Sequence, residues 1–165
     1  MDEETDLPEP RPRAFVAACG YLELGLGDLA LEELEELGEL GRRDAAVREL
    51  RVAARIQLKQ WEEAIEEGHA LCRDEPECAA AWLHTAYALH EAGRTRDACA
   101  LLLSAHDVVR RDPLYHYNMA CYLAVLGDPQ NAEVSLRVAF AARPALRRYA
   151  KGDPDLKTLG PFEDW

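Results

Sequence analysis

An all-α solenoid of antiparallel helix pairs is the fold class the sequence predicts, and three observations predict it. Alanines recur every 34 residues, at Ala30, Ala64, Ala98 and Ala132. The chain between them divides into amphipathic segments of about 12–15 residues, such as AAAWLHTAYALHEAG and RTRDACALLLSAHDVV. No segment shows the apolar–polar alternation of a half-buried strand.

The register around each alanine repeats with it. Five residues earlier stand Gly25, Lys59, Gly93 and Gly127; twelve earlier stand Ala18, Val52, Ala86 and Ala120. Four residues later come Leu34, Gly68, Leu102 and Leu136, and seven later Leu37, Leu71, Ala105 and Ala139. Glycine ends the first helix of a pair because its backbone is permissive. The recurrent alanines let paired helices approach closely, so a larger residue there overpacks at roughly 1–3 kcal/mol. A single pair cannot bury its apolar face, so the units must stack. This reading gives an acidic tail over 1–10, expected to be disordered. Four units follow, over 11–44, 45–78, 79–112 and 113–146. Residues 147–165 form a C-terminal capping segment. Leading into that cap, Pro144 opens a helix with Leu146 and Tyr149 facing inward, and Asp153-Pro154 starts a second short turn carrying Leu156 and Leu159.

Composition bounds the function. The length suits one ordinary domain. No apolar run approaches the roughly 18 residues of a membrane span, so membrane insertion is not expected. The opening MDEETDLPEPRPR is acidic, unlike a signal peptide, which makes a cytoplasmic protein the expectation. Five cysteines without a CxxC fit reduced thiols better than a disulfide framework. The net charge is −12 and lies in the first half: residues 1–78 hold 21 acidic and 9 basic side chains, whereas the remainder is balanced. Such a surface argues against nucleic acid as partner. It is compatible with a basic partner, although a solvated acidic face explains it as well.

The spacing resembles the tetratricopeptide repeat (TPR), a 34-residue helix–turn–helix unit of the form W-x2-L-G-x2-Y…A-x3-F…P. The third unit carries the resemblance best, with Trp82, Thr85, Ala86, Leu89, Gly93, Ala98, Leu102 and Ala105; the fourth follows with Met119, Ala120, Leu123, Gly127, Ala132, Leu136, Ala139 and Pro144. The first has Ala18, Tyr21, Gly25 and Ala30, and the second Ala64 and Pro76. The resemblance covers residues 11–146 and implies a right-handed superhelix whose concave groove, lined by the first helix of each unit, binds a peptide or partner helix. Mapped onto this chain, the groove comprises Phe15, Cys19 and Leu22 in unit one, with Leu50 in unit two. Unit three gives Leu83, His84, Tyr87 and His90, and unit four gives Tyr117, Asn118 and Cys121. Such a lining suits an apolar segment held by a few polar bonds. The TPR type that grips a C-terminal carboxylate is not implied, because Phe15, Cys19, Leu50, Ala80 and His84 stand at its positions. The simpler alternative is that the chain's own tail fills the groove.

Two features depart from the pattern. Arg48, Arg51 and Arg55 share one helix face where the repeat is apolar. The expectation is that they lie along the preceding acidic helix with Glu32, Glu33, Glu35, Glu36 and Glu39, the competing reading being a register shift that turns them out to solvent. The stretch HYNMACYLAVLGD, with His84 and His90 nearby, looks like a catalytic or metal site, but it lacks HxxxH, HExxH or CxxC spacing. A thiol inside a helix also has no free backbone N–H groups to serve as an oxyanion hole. No cofactor is therefore expected. The expected function is a non-enzymatic adaptor for a protein or peptide partner, with a secretion-type TPR chaperone as the alternative; an enzyme or metal protein using the His/Cys cluster ranks below both. The oligomeric state is left open between monomer and dimer.

Overall fold

The computed structural model describes residues 11–160 and Phe162, so the acidic tail expected over 1–10 lies outside the described residues. Every regular element described is helical. Four long first helices are α1 (Arg13–Glu23), α4 (Ala45–Gln57), α6 (Ala79–Glu91) and α9 (Pro113–Val125). Their partners are α2 (Gly27–Glu35), α5 (Trp61–Asp74), α7 (Thr95–Leu103) and α10 (Pro129–Ala142). Short helices α3 (Gly38–Arg43), α8 (Asp107–Arg110) and α11 (Leu146–Ala150) and a 3-10 turn (Pro154–Leu156) complete the chain. No helix among the described residues is long and apolar enough to cross a membrane.

The turn inside each pair has one design. Gly25, Lys59, Gly93 and Gly127 all adopt positive φ, between 57° and 85°. In each turn the next amide returns to a carbonyl five residues back: Leu26 to Tyr21, Gln60 to Arg55, Arg94 to Leu89 and Asp128 to Leu123, at 2.8–2.9 Å. This helix stop satisfies carbonyls that the helix end would otherwise orphan. It explains why glycine holds three of the four positions. Lys59 takes the same conformation with a side chain, at a cost of roughly 1–2 kcal/mol. Starts are equally local. Asp44, Asp112, Asp128 and Asp153 each accept a backbone N–H one to three residues into the element they cap, and proline follows in the last three, where its missing N–H costs nothing.

Stacking follows from the small residues. Ala18, Ala30, Ala64, Ala86, Ala98, Ala120, Ala132 and Ala139 are fully buried. Helices α2, α5 and α7 each pack on the first helix of their own pair and on that of the next. Gly68 stands where the other units have leucine because a Cβ there would collide with the Thr85 hydroxyl of α6. One core runs from Val52 to Phe162, and a separate N-terminal cluster joins Ala18, Ala30, Leu34, Val47 and Ala54.

Three expectations need correction. The arginines of α4 do not lie along the acidic helix. Arg48 pairs with Asp74 at 2.8 Å, and Arg51 and Arg55 share Glu67 at 3.0 and 3.1 Å, all on α5. The face of α4 that departs from the repeat is thus the one against its own partner helix, and Glu32, Glu35, Glu36 and Glu39 stay exposed. The segment RTRDACALLLSAHDVV is not one helix. It breaks after Leu103, where Ser104 donates its hydroxyl to Leu101 O and the Arg110 guanidinium donates to the Leu103 and Ala105 carbonyls. His106 then caps α8 by accepting Val108 N–H. Tyr149 does not face inward. In the short α11 the buried stripe is Leu146 and Ala150, an i, i+4 pair, which leaves Tyr149 67% exposed.

Candidate peptide-binding groove

The tail decides how much of the inner face is open. After α11 the chain turns back across α9, and the 3-10 turn seats Leu156, fully buried, in the main core. Phe162 follows edge-on to Phe140, with centroids 6.1 Å apart. Asp153 both caps this turn and reaches the helix beneath: its Oδ1 accepts Asp155 N–H at 3.0 Å, and its Oδ2 accepts Tyr117 O–H at 2.7 Å and the Cys121 thiol at 3.6 Å. Asp155 meets His90 Nε2 at 3.0 Å, while His90 Nδ1 lies 3.0 Å from Thr95 Oγ1. An ionised carboxylate only accepts, so Nε2 carries the proton in this contact.

The eleven residues placed in the groove from sequence thus fall into three groups. His90, Tyr117 and Cys121 lie under the tail, and the last two are nearly fully buried. Phe15, Leu22 and Leu50 pack into the N-terminal cluster, with Cys19 half-buried on α1; Phe15 also edges a separate depression of about 360 Å³ beside Leu37 and Asp44. Leu83, His84, Tyr87 and Asn118 come together on α6 and α9 around a depression of about 330 Å³, with Leu114 between them. Tyr87, Leu114 and Asn118 continue into a larger cleft of about 900 Å³ whose opposite wall is the C-terminal segment. Glu91, Arg143, Arg148, Tyr149, Asp153 and Asp155 line that cleft. None of these six was picked out from sequence as a groove residue. The acid-proline-acid run of the tail marks a capped turn, but nothing local says which helix that turn covers.

The electrostatics of the cleft follow from burial and from its carboxylates. Burial, first, and the Asp153 hydrogen bond push the Tyr117 hydroxyl far above the usual tyrosine range. Burial with the nearby Asp153 and Asp155 does the same to the Cys121 thiol. Tyr122, stacked on His90 at 4.9 Å, is raised by burial and by charges that include Asp155 and Glu91. Half-exposed Tyr87 is raised by burial, then by Glu91, Asp155 and Asp153. His84 is held below the ordinary histidine range by burial, and its Nδ1 is buried without a partner among the described residues.

Neither Cys121 nor Cys72 has the surroundings of an activated nucleophile. A reactive cysteine needs a lowered pKa and a base beside it; Cys121 has carboxylates beside it and is driven the other way, and burial lifts Cys72 to about 11. Cys121 Sγ and one oxygen each of Asp153 and Asp155 lie within 4.8 Å of one another, the spacing of a metal cage. Asp153 Oδ2 already accepts from Tyr117 and the Cys121 thiol, and Asp155 Oδ2 meets His90.

No protein-family model matches the chain, and no curated protein matches its sequence. Solved structures do match its fold. The chain is similar to TTC0263, a thermophilic TPR protein in Thermus thermophilus, with a TM-score of 0.74 at 21% identity over 88% of this chain and 79% of that one. It is also similar to MamA MSR-1 C2, with a TM-score of 0.64 at 16% identity over 81% and 76%. At such identities the likeness speaks for fold alone: this is an all-α chain with a TPR-like solenoid fold.

Proposed function

We propose that the chain is a non-enzymatic interaction module. It is built of four TPR-like units over 11–146 with residues 147–165 as cap, and it binds an apolar or amphipathic protein segment on the inner face of its third and fourth helix pairs. The observation that carries this reading is the continuous opening along Leu83, His84, Tyr87, Leu114 and Asn118. Tyr87 keeps 40% of its surface exposed there, an aromatic ring left available in a concave wall. Asn118 adds a donor and an acceptor for a partner backbone. Both walls are preorganised, one by helix stacking and one by the Leu156 and Asp153 anchors, so little ordering is needed on this side of the interface. The inner face available is shorter than the sequence mapping implies, because the tail already covers Tyr117, Cys121 and His90.

Site-specific photo-crosslinking tests this reading. A photoreactive residue at Asn118 is expected to capture a discrete partner, and Tyr87→Ala to abolish the capture. The same probe at Glu66, exposed on α5 and outside the lining of both openings, is expected to capture none. Capture at Glu66 that persists in Tyr87→Ala would move the interface to the convex surface.

A further inference from the structure

Two positive charges in the large cleft have no counterpart. Arg143, just past the end of α10, and Arg148, in α11, line it, and both are exposed with no carboxylate in ion-pair distance among the described residues. The acids of the cleft are engaged elsewhere: Asp153 accepts from Tyr117 and Cys121, Asp155 meets His90, and Glu91 is hydrogen-bonded by Tyr87. The arginine wall therefore complements an acid on the segment that enters. Apolar surface lies open in the same cleft, where Tyr149 is 67% and Tyr87 40% exposed.

The sequence itself carries a matching ligand. Residues 1–10, MDEETDLPEP, hold five acids and no base, whereas residues 143–151, RPALRRYAK, hold four bases and no acid. Within the acidic segment Leu7 lies between Asp6 and Glu9. Its two prolines make the segment a poor helix former with less entropy to lose on docking. The other acidic run, through α2 and α3, has no such apolar side chain to offer, because Leu31, Leu34 and Leu37 pack in the N-terminal cluster. Reach decides whose segment can enter. Arg11 is tied to Asp44 at 2.9 Å, at the N-terminal end of the stack. Helices α4 and α6 stand between α1 and α9, so about three helix spacings of roughly 8–10 Å each separate that end from the cleft. Leu7, four residues before Arg11, extends at most about 14 Å from it. It falls short of the cleft in its own chain.

We propose that the cleft receives residues 6–9 of a second copy of this chain, with Leu7 against the exposed tyrosines and Asp6 and Glu9 at Arg143 and Arg148. This rests on the groove reading above and names its occupant. Each copy offers one segment and one cleft, so the contact is heterologous and either propagates or closes into a ring. The net charge of −12 does not oppose it at the cap, because the whole excess lies in residues 1–78 and the remainder is balanced.

Sedimentation velocity on the purified full chain, across protein and salt concentrations, tests the proposal. Self-association is expected to grow with protein concentration and to weaken as salt rises. Asp6→Arg with Glu9→Arg in one variant, and Arg143→Glu with Arg148→Glu in another, are each expected to weaken it by about tenfold or more. An equimolar mixture of the two variants is expected to restore it, since each tail then meets a cap of opposite charge. Arg143 and Arg148 are exposed, so their variant is expected to melt like the parent. A chain that stays monomeric at every concentration, association untouched by either swap, or a mixture that stays apart overturns the proposal. A photoreactive residue at Asn118 separates this outcome from the groove reading. A crosslink from Asn118 to residues 6–9 of another copy supports both, and one to the same chain's own tail overturns the second-copy assignment. If the chain is monomeric yet Asn118 captures a different protein in a Tyr87-dependent way, self-docking falls and the groove stands. If no capture there depends on Tyr87, both fall.

Discussion

The Tyr117 hydroxyl donates to Asp153 at 2.7 Å across 36 residues of sequence, and this bond ties the C-terminal segment to the inner face of α9. It joins a side chain expected to face a partner to a side chain expected only to start a turn. The site takes its shape from that contact, because the segment it fixes is one wall of the cleft.

Tyr117→Phe removes the hydroxyl and keeps the ring. Hydrogen bonds to charged groups are worth about 1.5–3 kcal/mol, so a stability loss near the lower end is expected, since Asp153 retains Cys121 and its own turn amide. Chemical denaturation measures the loss. Hydrogen exchange should quicken over 150–160 while α4 and α5 stay protected.

Glu67 serves two arginines at once, with its side chain 17% exposed. Glu67→Gln leaves Arg51 and Arg55 partly buried and unpaired and is expected to cost roughly 2 kcal/mol, above a surface pair and below a fully buried one. The neighbouring exposed Glu66→Gln should change stability by less than about 0.5 kcal/mol. Equal urea midpoints for the two variants would contradict this account.

Lys59 holds a left-handed conformation that its three counterparts leave to glycine. Lys59→Gly relieves roughly 1–2 kcal/mol of backbone strain and returns part of that as unfolded-state entropy. A net gain of about 0.5–1 kcal/mol is expected, visible as a raised melting temperature. Gly93→Ala, the reverse change at an equivalent turn, should lower it.

His84 is neutral in the fold because burial depresses its pKa below 6.5, with Glu49 opposing only in part. The unfolded chain therefore binds this proton more readily than the folded one. The stability this supplies is complete above pH 6.5 and is lost as pH falls through the depressed value. His69 and His116, lowered mainly by burial, act in the same direction. Denaturation midpoints should fall below pH 6.5, and His84→Gln should flatten that slope. A slope unchanged by the substitution would place the proton uptake elsewhere.

Much of the architecture was written locally. Each helix stop needs a residue that tolerates positive φ followed by an amide within reach of a free carbonyl, and Gly25, Gly93 and Gly127 meet that need within a few residues of chain. Each close helix contact needs a small side chain, and the alanines of the 34-residue period supply it. Such terms depend on a residue and its near neighbours, so a single sequence displays them. The breaks at Leu103 and Glu35 were harder to see, because the pattern of apolar residues continues through both while Ser104, Arg110 and Gly38 redirect the backbone.

The amino-acid sequence by itself determined the helices, the turns between them, the positions where pairs approach, and therefore a stack with a first-helix face lined by Leu83, His84, Tyr87 and Asn118. Only the tertiary structure decided how much of that face stays open. Arg51 and Arg55 could match the acids of α2 or the single Glu67 of α5, and periodicity cannot choose between two carboxylate partners on different helices. Asp153 and Leu156 could cap the stack at its end or fold back over α9. Burial of Leu156 and the donors waiting at Tyr117, Cys121 and His90 selected the second, closing one part of the inner face and walling the rest into a cleft.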